Sequence, residues 1–323
     1  MKKIILFILL ILMFLSSCSI QDSNEKLYLG LMIHVEGWKN EVNLEDSFNL
    51  HASAVENMAS ILEDYGAVGT FEFSPEFIEA AERWDSNIIQ DLHDRGHGVG
   101  VHADAGYSLN ENYDYDIFVK EIKDSRLDLE KLVDFKILHV SGICSEMDWV
   151  KAAIDAGYKF TSGSVGYCAM SMPEDLRPEK YKNCLSPGEC HGPLPEDITQ
   201  SLTPILASSG ENWLYSNSGD LVIFNARNVL YAQYEDSLGI SEVSNADLTS
   251  EDLEASYQNI EIVLNEVDSN EINLIYFGWS LGDTDLHNEN LLKEWLDYVD
   301  ENYIQTGQVE WKTLPEVYLE YTS

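Results

Sequence analysis

The chain has 323 residues, of which 57 are acidic and 19 basic, giving a formal net charge of −38. A surface this negative repels phosphate backbones and anionic headgroups, which excludes nucleic acid and direct lipid binding as partner classes. The length admits one large α/β domain or two smaller ones. With no Pro/Gly/Ser-rich linker and no internal repeat, one domain is expected.

The chain opens with Lys2 and Lys3, an apolar segment from Ile4 to Leu15, and the small residues Ser16-Ser17 before Cys18. The apolar segment is shorter than the roughly 20 residues a bilayer-spanning helix needs, so it reads as an export signal. Leu15-Ser16-Ser17-Cys18 resembles the lipobox of bacterial-type lipoproteins, in which the cysteine becomes the lipidated first residue. The expected organisation is therefore a signal over 1–17, a lipidated tether over 18–26 and a folded domain over 27–323. It implies an exported protein, anchored by lipid to the outer face of a membrane and touching that membrane only through the anchor.

"LYLGLMIHV" from Leu27 is an apolar strand, followed by a helix from about Ser47 to Tyr65 with Val55, Met58, Ala59 and Leu62 on one stripe. "AVGTFEF" is a second strand bounded by Gly66 and by Ser74-Pro75, and helical pieces then run to Gly96, a suitable C-cap. "HGVGVHA" is a third strand, "DIFVKEIKDSRLDLEKLV" an amphipathic helix, and "FKILHVSG" a fourth strand. The helix "EMDWVKAAIDAG" and the short strand "KFTSG" come next. After an irregular stretch from about 163 to 220 come "LVIFNA", a helix from Ser250 to about Val267, "INLIYFGW", a helix from about Glu289 to Tyr303 and "QVEWKT". Repeated βα units with apolar strands imply parallel strands covered on both faces. Seven or eight of them fit a distorted (β/α) barrel, in which chemistry gathers at the carboxyl ends of the strands.

That rule selects residues. His34 and Glu36 leave the same face at the end of the first strand; His102 and Asp104 do so at the end of the third, and His139 lies near the end of the fourth. Imidazoles and carboxylates from several strand ends are the donor set of a metal site. Trp38, Tyr107 and Trp279 adjoin strand ends and, with His139, are candidates to line a substrate pocket. His97, His191 and His287 are weaker candidates. Cys144, Cys168, Cys184 and Cys190 include no C-x-x-C pair; in an exported chain they read as two disulfides pinning the irregular stretch.

With those residues in place, the chain resembles the polysaccharide deacetylase (NodB-like) family of carbohydrate esterases. "IHVEG" stands where the family carries its first acidic motif, with His34 at the base position and Glu36 at the metal position. "RGHGVGVHADAG" matches the histidine-bearing turn through His102, although Gly106 stands where a second histidine would be. "ICSEMDWVKAAIDAGYKF" and the tail "NLLKEWLDYVDENYIQTGQVEWKTLPEVY" are similar to later regions of these enzymes, without the usual Arg/Pro feature in "HVSGICS". The resemblance spans about Leu27 to Tyr321 and implies a NodB-type barrel as a single catalytic domain with a cysteine-bearing insertion.

It further implies a metal-dependent hydrolase that removes N-acetyl or O-acetyl groups from an extracellular or cell-envelope polysaccharide. A divalent metal, Zn in the first instance, is expected on Glu36 and His102. The third ligand is open between Asp104 and His34, and the one not binding metal is the candidate base. The alternative is a catalytically inactive, glycan-binding lipoprotein on the same fold. No G-x-S-x-G elbow, P-loop or dinucleotide fingerprint is present, so serine hydrolysis, phosphoryl transfer and nicotinamide chemistry have no support.

Overall fold

The computed structural model describes residues 26–38, 40–107, 112–225, 228–238, 248–281 and 288–323. The segment read as an export signal, Cys18 and His287 lie outside the described residues. Among those described, no helix is long and apolar enough to cross a membrane.

In chain order the first half contains β1 (Leu27–Val35), α1 (Glu45–Asp64), β2 (Thr70–Phe73), α2 (Pro75–Arg83), α3 (Ile88–Asp94), β3 (Gly98–His102), α4 (Tyr115–Leu129), β4 (His139–Ser141), α5 (Trp149–Ala156) and β5 (Phe160–Thr161). Then follow β6 (Ile205–Ala207), β7 (Leu221–Ile223), β8 (Asn228–Val229), α6 (Gln233–Ser237), α7 (Ser250–Leu264), β9 (Asn273–Leu281), α8 (Glu289–Val299), β10 (Val309–Trp311) and α9 (Leu314–Tyr321). Local chemistry sets many boundaries. Ser74, Asp114 and Asp148 accept hydrogen bonds from the first turns of α2, α4 and α5, and Thr249 and Thr313 form capping boxes before α7 and α9.

The strands form one sheet in the order β6-β7-β5-β4-β3-β2-β1-β9-β8, with β10 paired to the start of β1. All pairings are parallel except β6–β7. The sequence expectation of seven or eight parallel strands thus meets a ten-stranded sheet; the two additions, β6 and β8, are pieces of three and two residues, the first antiparallel and carried by the irregular stretch. The edges β6 and β8 do not pair, yet the sheet curls. Met32, Phe160, Val222, Phe224, Leu274 and Tyr276 meet in one inner cluster, closed from below by Leu314 and Val317 of α9. Tyr276 Oη on β9 donates to Phe224 O at 2.8 Å and accepts from Gly163 N at 2.9 Å, joining opposite walls.

Alternation along β1 sorts its two faces: Leu27, Leu29, Leu31, Ile33 and Val35 enter the outer core under the helices, while Met32 points inward and His34 sits one step above it on the same face. Residues 163–220 form a cap built largely of short 3₁₀ turns. Cys144, just after β4, pairs with Cys168 in the first of these turns, and Cys184 pairs with Cys190 within the cap. Trp149 Nε1 of α5 and Trp213 Nε1 both donate to Cys168 O, at 3.1 and 3.2 Å. The expected tie between the cysteines and the irregular stretch is present in this form.

Candidate active site

Above the inner cluster, at the carboxyl ends of β1 to β5, the barrel lining turns polar. In the parallel register His34 on β1 lies beside Glu72 on β2. Glu72 is fully buried, and four side chains converge on it. His34 Nε2 is 3.0 Å from Oε2 and His139 Nε2 is 3.1 Å from Oε1. Ser162 Oγ donates to Oε1 at 2.8 Å, and Ser141 Oγ donates to Oε2. Burial disfavours the charged carboxylate, but the histidines around it, His139 foremost, outweigh burial and hold the group at about 2.

His139 stacks on Phe160 with ring centroids 4.5 Å apart, and burial lowers it to about 4, so it is a neutral imidazole at ordinary pH. Gly100 on β3 makes room for that ring, because a Cβ there would overlap His139 Nδ1.

A second layer lies above this floor. His102 stacks on His34 with centroids 3.9 Å apart. Its Nδ1 is 2.8 Å from Ser141 Oγ; its Nε2 is 3.2 Å from Asp104 Oδ1 and 3.5 Å from Glu36 Oε1. Burial alone lowers His102, but Asp104, then Glu36 and Glu72, outweigh it and raise the imidazole to about 9. Glu36 Oε1 is also 3.8 Å from His34 Nδ1. Gly142, at φ +66°, permits this approach: a Cβ would stand 2.9 Å from Asp104 N and 3.0 Å from His102 Cε1. Asp104 itself adopts φ +44°, a backbone state that Asp tolerates better than most residues.

Glu36, His102 and Asp104 can each offer one ligand atom, all within 4.8 Å of one another. An imidazole flanked by two carboxylates suits a divalent cation such as Zn²⁺, and two like charges at one imidazole are relieved by one. His34, Glu72 and His102 satisfy the same distance criterion one layer deeper.

This layer opens into a cavity of about 530 Å³ that is also lined by Tyr107, Tyr231 and, from the cap, Val165, His191 and Pro193. At Glu36, His102 and Asp104 the cavity meets a more open groove of about 780 Å³ bordered by Trp38, Glu76, Lys120 and Glu121.

The structure brings His34, Glu36, His102 and Asp104 together and sets Tyr107 and His191 in the cavity wall. The other residues expected to line the pocket fall elsewhere. His139 belongs to the buried floor. Trp279 is buried edge-on against Tyr231, with centroids 6.2 Å apart, and does not line the cavity. Trp38 stacks on His51 at 4.5 Å and borders the groove instead. His97 sits at the amino end of β3, accepting from Gly69 N at 3.1 Å, a structural position. Residue-by-residue reading missed Glu72, Ser141 and Ser162. The available signal was a lone carboxylate inside the apolar strand "TFEF", which must find partners when buried.

No family model matches the chain, and no curated protein matches it. Solved structures do. The Puue allantoinase superposes with a TM-score of 0.58 at 9% identity, over 93% of this chain and 91% of its own. A polysaccharide deacetylase-type protein of Pseudomonas aeruginosa PAO1 gives 0.57 at 9% identity, covering 92% of this chain and 91% of its own. One of Mycobacterium smegmatis gives 0.56 at 13%, covering 92% and 90%. At such identities the likeness concerns architecture: the chain is built on the NodB-like polysaccharide deacetylase fold.

Proposed function

We propose that this protein is a metal-dependent hydrolase that removes acetyl groups from a polysaccharide outside the cell. The observation that carries this reading is the convergence of Glu36, His102 and Asp104 at the mouth of a cavity on a deacetylase-type barrel. These residues would hold the metal, with Asp104 as third ligand, because its carboxylate stands 3.2 Å from the same His102 nitrogen that Glu36 approaches. When bound, a divalent cation supplies Lewis-acid polarisation of an acyl carbonyl and a lowered pKa for water. His34, beside this group with Nδ1 toward Glu36, is the base, a task suited to an imidazole. Tyr107 and Tyr231 offer apolar faces to a sugar. The meeting of cavity and groove lets a chain longer than one sugar cross the site. Cys18 completes the reading as the lipid-modified anchor of an exported protein, and Cys18→Ser should move it from the membrane to the soluble fraction.

Acetate release from N-acetylglucosamine oligomers by zinc-loaded protein tests the reading. Glu36→Ala and His102→Ala should each lose bound metal and with it activity, whereas His34→Ala should keep the metal and lose turnover by about 10²–10⁴-fold. A second reading, glycan binding without catalysis, is favoured by Gly106, where the resemblance leads one to look for a further histidine. Phe118 and Ser145 fill the space in which a side chain there would start. Oligomer binding with no acetate released, with or without zinc, would establish that second reading.

A further inference from the structure

The hydrogen bonds around Glu72 have directions, and those directions decide where the protons sit on two imidazoles. A hydroxyl carries a single proton. Ser141 Oγ gives its proton to Glu72 Oε2. Its 2.8 Å contact with His102 Nδ1 must therefore be donated by the ring. His102 Nδ1 thus carries a hydrogen whatever the charge of the ring, and Nε2, the atom facing Asp104 and Glu36, is the nitrogen that would give up its proton to a cation. His34 Nε2 stands 3.0 Å from Glu72 Oε2, a charge contact rather than an aligned hydrogen bond, and the ionised carboxylate favours the hydrogen on that nitrogen. The His34 lone pair is left on Nδ1, toward Glu36 and the cavity. Ser162 repeats the pattern on the other side, donating to Glu72 Oε1 while lying 2.7 Å from His139 Nε2.

The geometry points to Glu72 as the positioning residue of the site: a buried carboxylate that orients His34 by close contact, and His102 through Ser141, so that His34 Nδ1 and His102 Nε2 are the nitrogens turned to the cavity. The deeper group of His34, Glu72 and His102 is the rival arrangement, in which Glu72 would itself bind metal and His102 would ligate through Nδ1. It is disfavoured because both Glu72 oxygens already have partners, whereas the carboxylates of Glu36 and Asp104 converge on His102 Nε2 without any hydroxyl between them. The functional meaning of this inference rests on the metal reading above, but the tautomer part of its test does not.

Metal-free protein labelled with ¹⁵N-histidine should be studied at about pH 10.5, above the value of about 9 to which its acidic neighbours raise His102. Two-bond ¹⁵N–¹H correlations should show the hydrogen on Nδ1 of His102 and on Nε2 of His34. Titration with zinc alone gives the second readout. Glu72→Gln replaces an acceptor by an amide that also donates, and should weaken zinc binding about 10–100-fold. Ser141→Ala should weaken it too, and the double variant should be no weaker than the poorer single, since the two act in one chain of bonds.

A His102 Nδ1 without its hydrogen in the unmutated protein, or a Glu72→Gln affinity within about twofold of it, overturns the inference. Complete loss of zinc in Glu72→Gln, with His102 ligating through Nδ1, would make Glu72 a ligand instead. If the unmutated protein shows the expected tautomers but takes up no zinc, the metal reading falls and the positioning role stands.

Discussion

The site has a floor and a rim, and they are built differently. The floor, comprising Glu72, His139, Ser141 and Ser162, is buried, comes from strands or the residue directly after one, and is closely hydrogen-bonded. The rim, comprising Glu36, Asp104, Tyr107 and His191, comes from loops, is open to solvent in part and makes few mutual contacts. Orientation is thus imposed from beneath by rigid elements, and contact with a substrate is left to residues that can vary without disturbing the barrel. The contrast says which substitutions should unfold the protein and which should only disarm it.

The largest effect is expected at the floor. Glu72→Ala leaves His139, Ser141 and Ser162 without their shared partner and should cost about 3–5 kcal/mol in denaturant unfolding. An effect below about 1 kcal/mol would dissolve the distinction between floor and rim. Next comes the link between cap and barrel. Separating Cys144 from Cys168, 24 residues apart, should cost about 3 kcal/mol, and separating Cys184 from Cys190, six apart, about 2 kcal/mol. Thiol titration of the unfolded, unreduced protein should find none of these four free.

Acid should undo the floor in two overlapping stages. His139, lowered by burial from 6.5 to about 4, stays neutral in the fold while the unfolded chain binds a proton, so stability declines as pH falls from about 6.5. Burial raises Glu72, but its histidines outweigh that and bring it from 4.5 to about 2. Its contribution is therefore complete above about 4.5 and lost as pH falls toward 2. Denaturant unfolding at a series of pH values should show both stages, and Glu72→Gln should remove the lower one. At the rim the effects on stability are smallest. Asp104→Asn, which keeps a residue tolerant of positive φ but removes the charge facing His102, should cost about 1 kcal/mol while weakening zinc binding. Tyr107→Ala should leave stability alone and raise KM about 3–10-fold, the worth of one stacking face.

The same contrast explains how much was legible in the sequence. Apolar strands alternating with striped helices are a long-range pattern, so the βα order, the barrel class and the placing of His34, Glu36, His102 and Asp104 at strand ends could be read directly. Glu72 could not be assigned, because its meaning depends on β2 lying beside β1 in a register that pairs it with His34, and nothing local in "TFEF" encodes that register. Trp279 was mistaken for a cavity contact for a related reason: a residue near a strand end can point into the barrel or into the helical layer, and a one-residue shift exchanges the two. His139 does face the barrel interior, but beneath the cavity, against Glu72 and Phe160. The cap was legible only through its cysteines, since 3₁₀ turns carry no periodic signature.

β1 runs about 30 Å from Leu27 up to the site, and its first residues pair with β10 near the chain's other end. Lys26 Nζ meets Glu310 Oε2 there at 2.8 Å. Both ends of the domain therefore emerge from the base of the barrel. Any fusion partner, bead or surface attached ahead of Lys26 grips the molecule from behind, with the mouth of the cavity turned outward. A short linker should serve as well as a long one for immobilising the protein, because the attachment point and the opening lie at opposite poles.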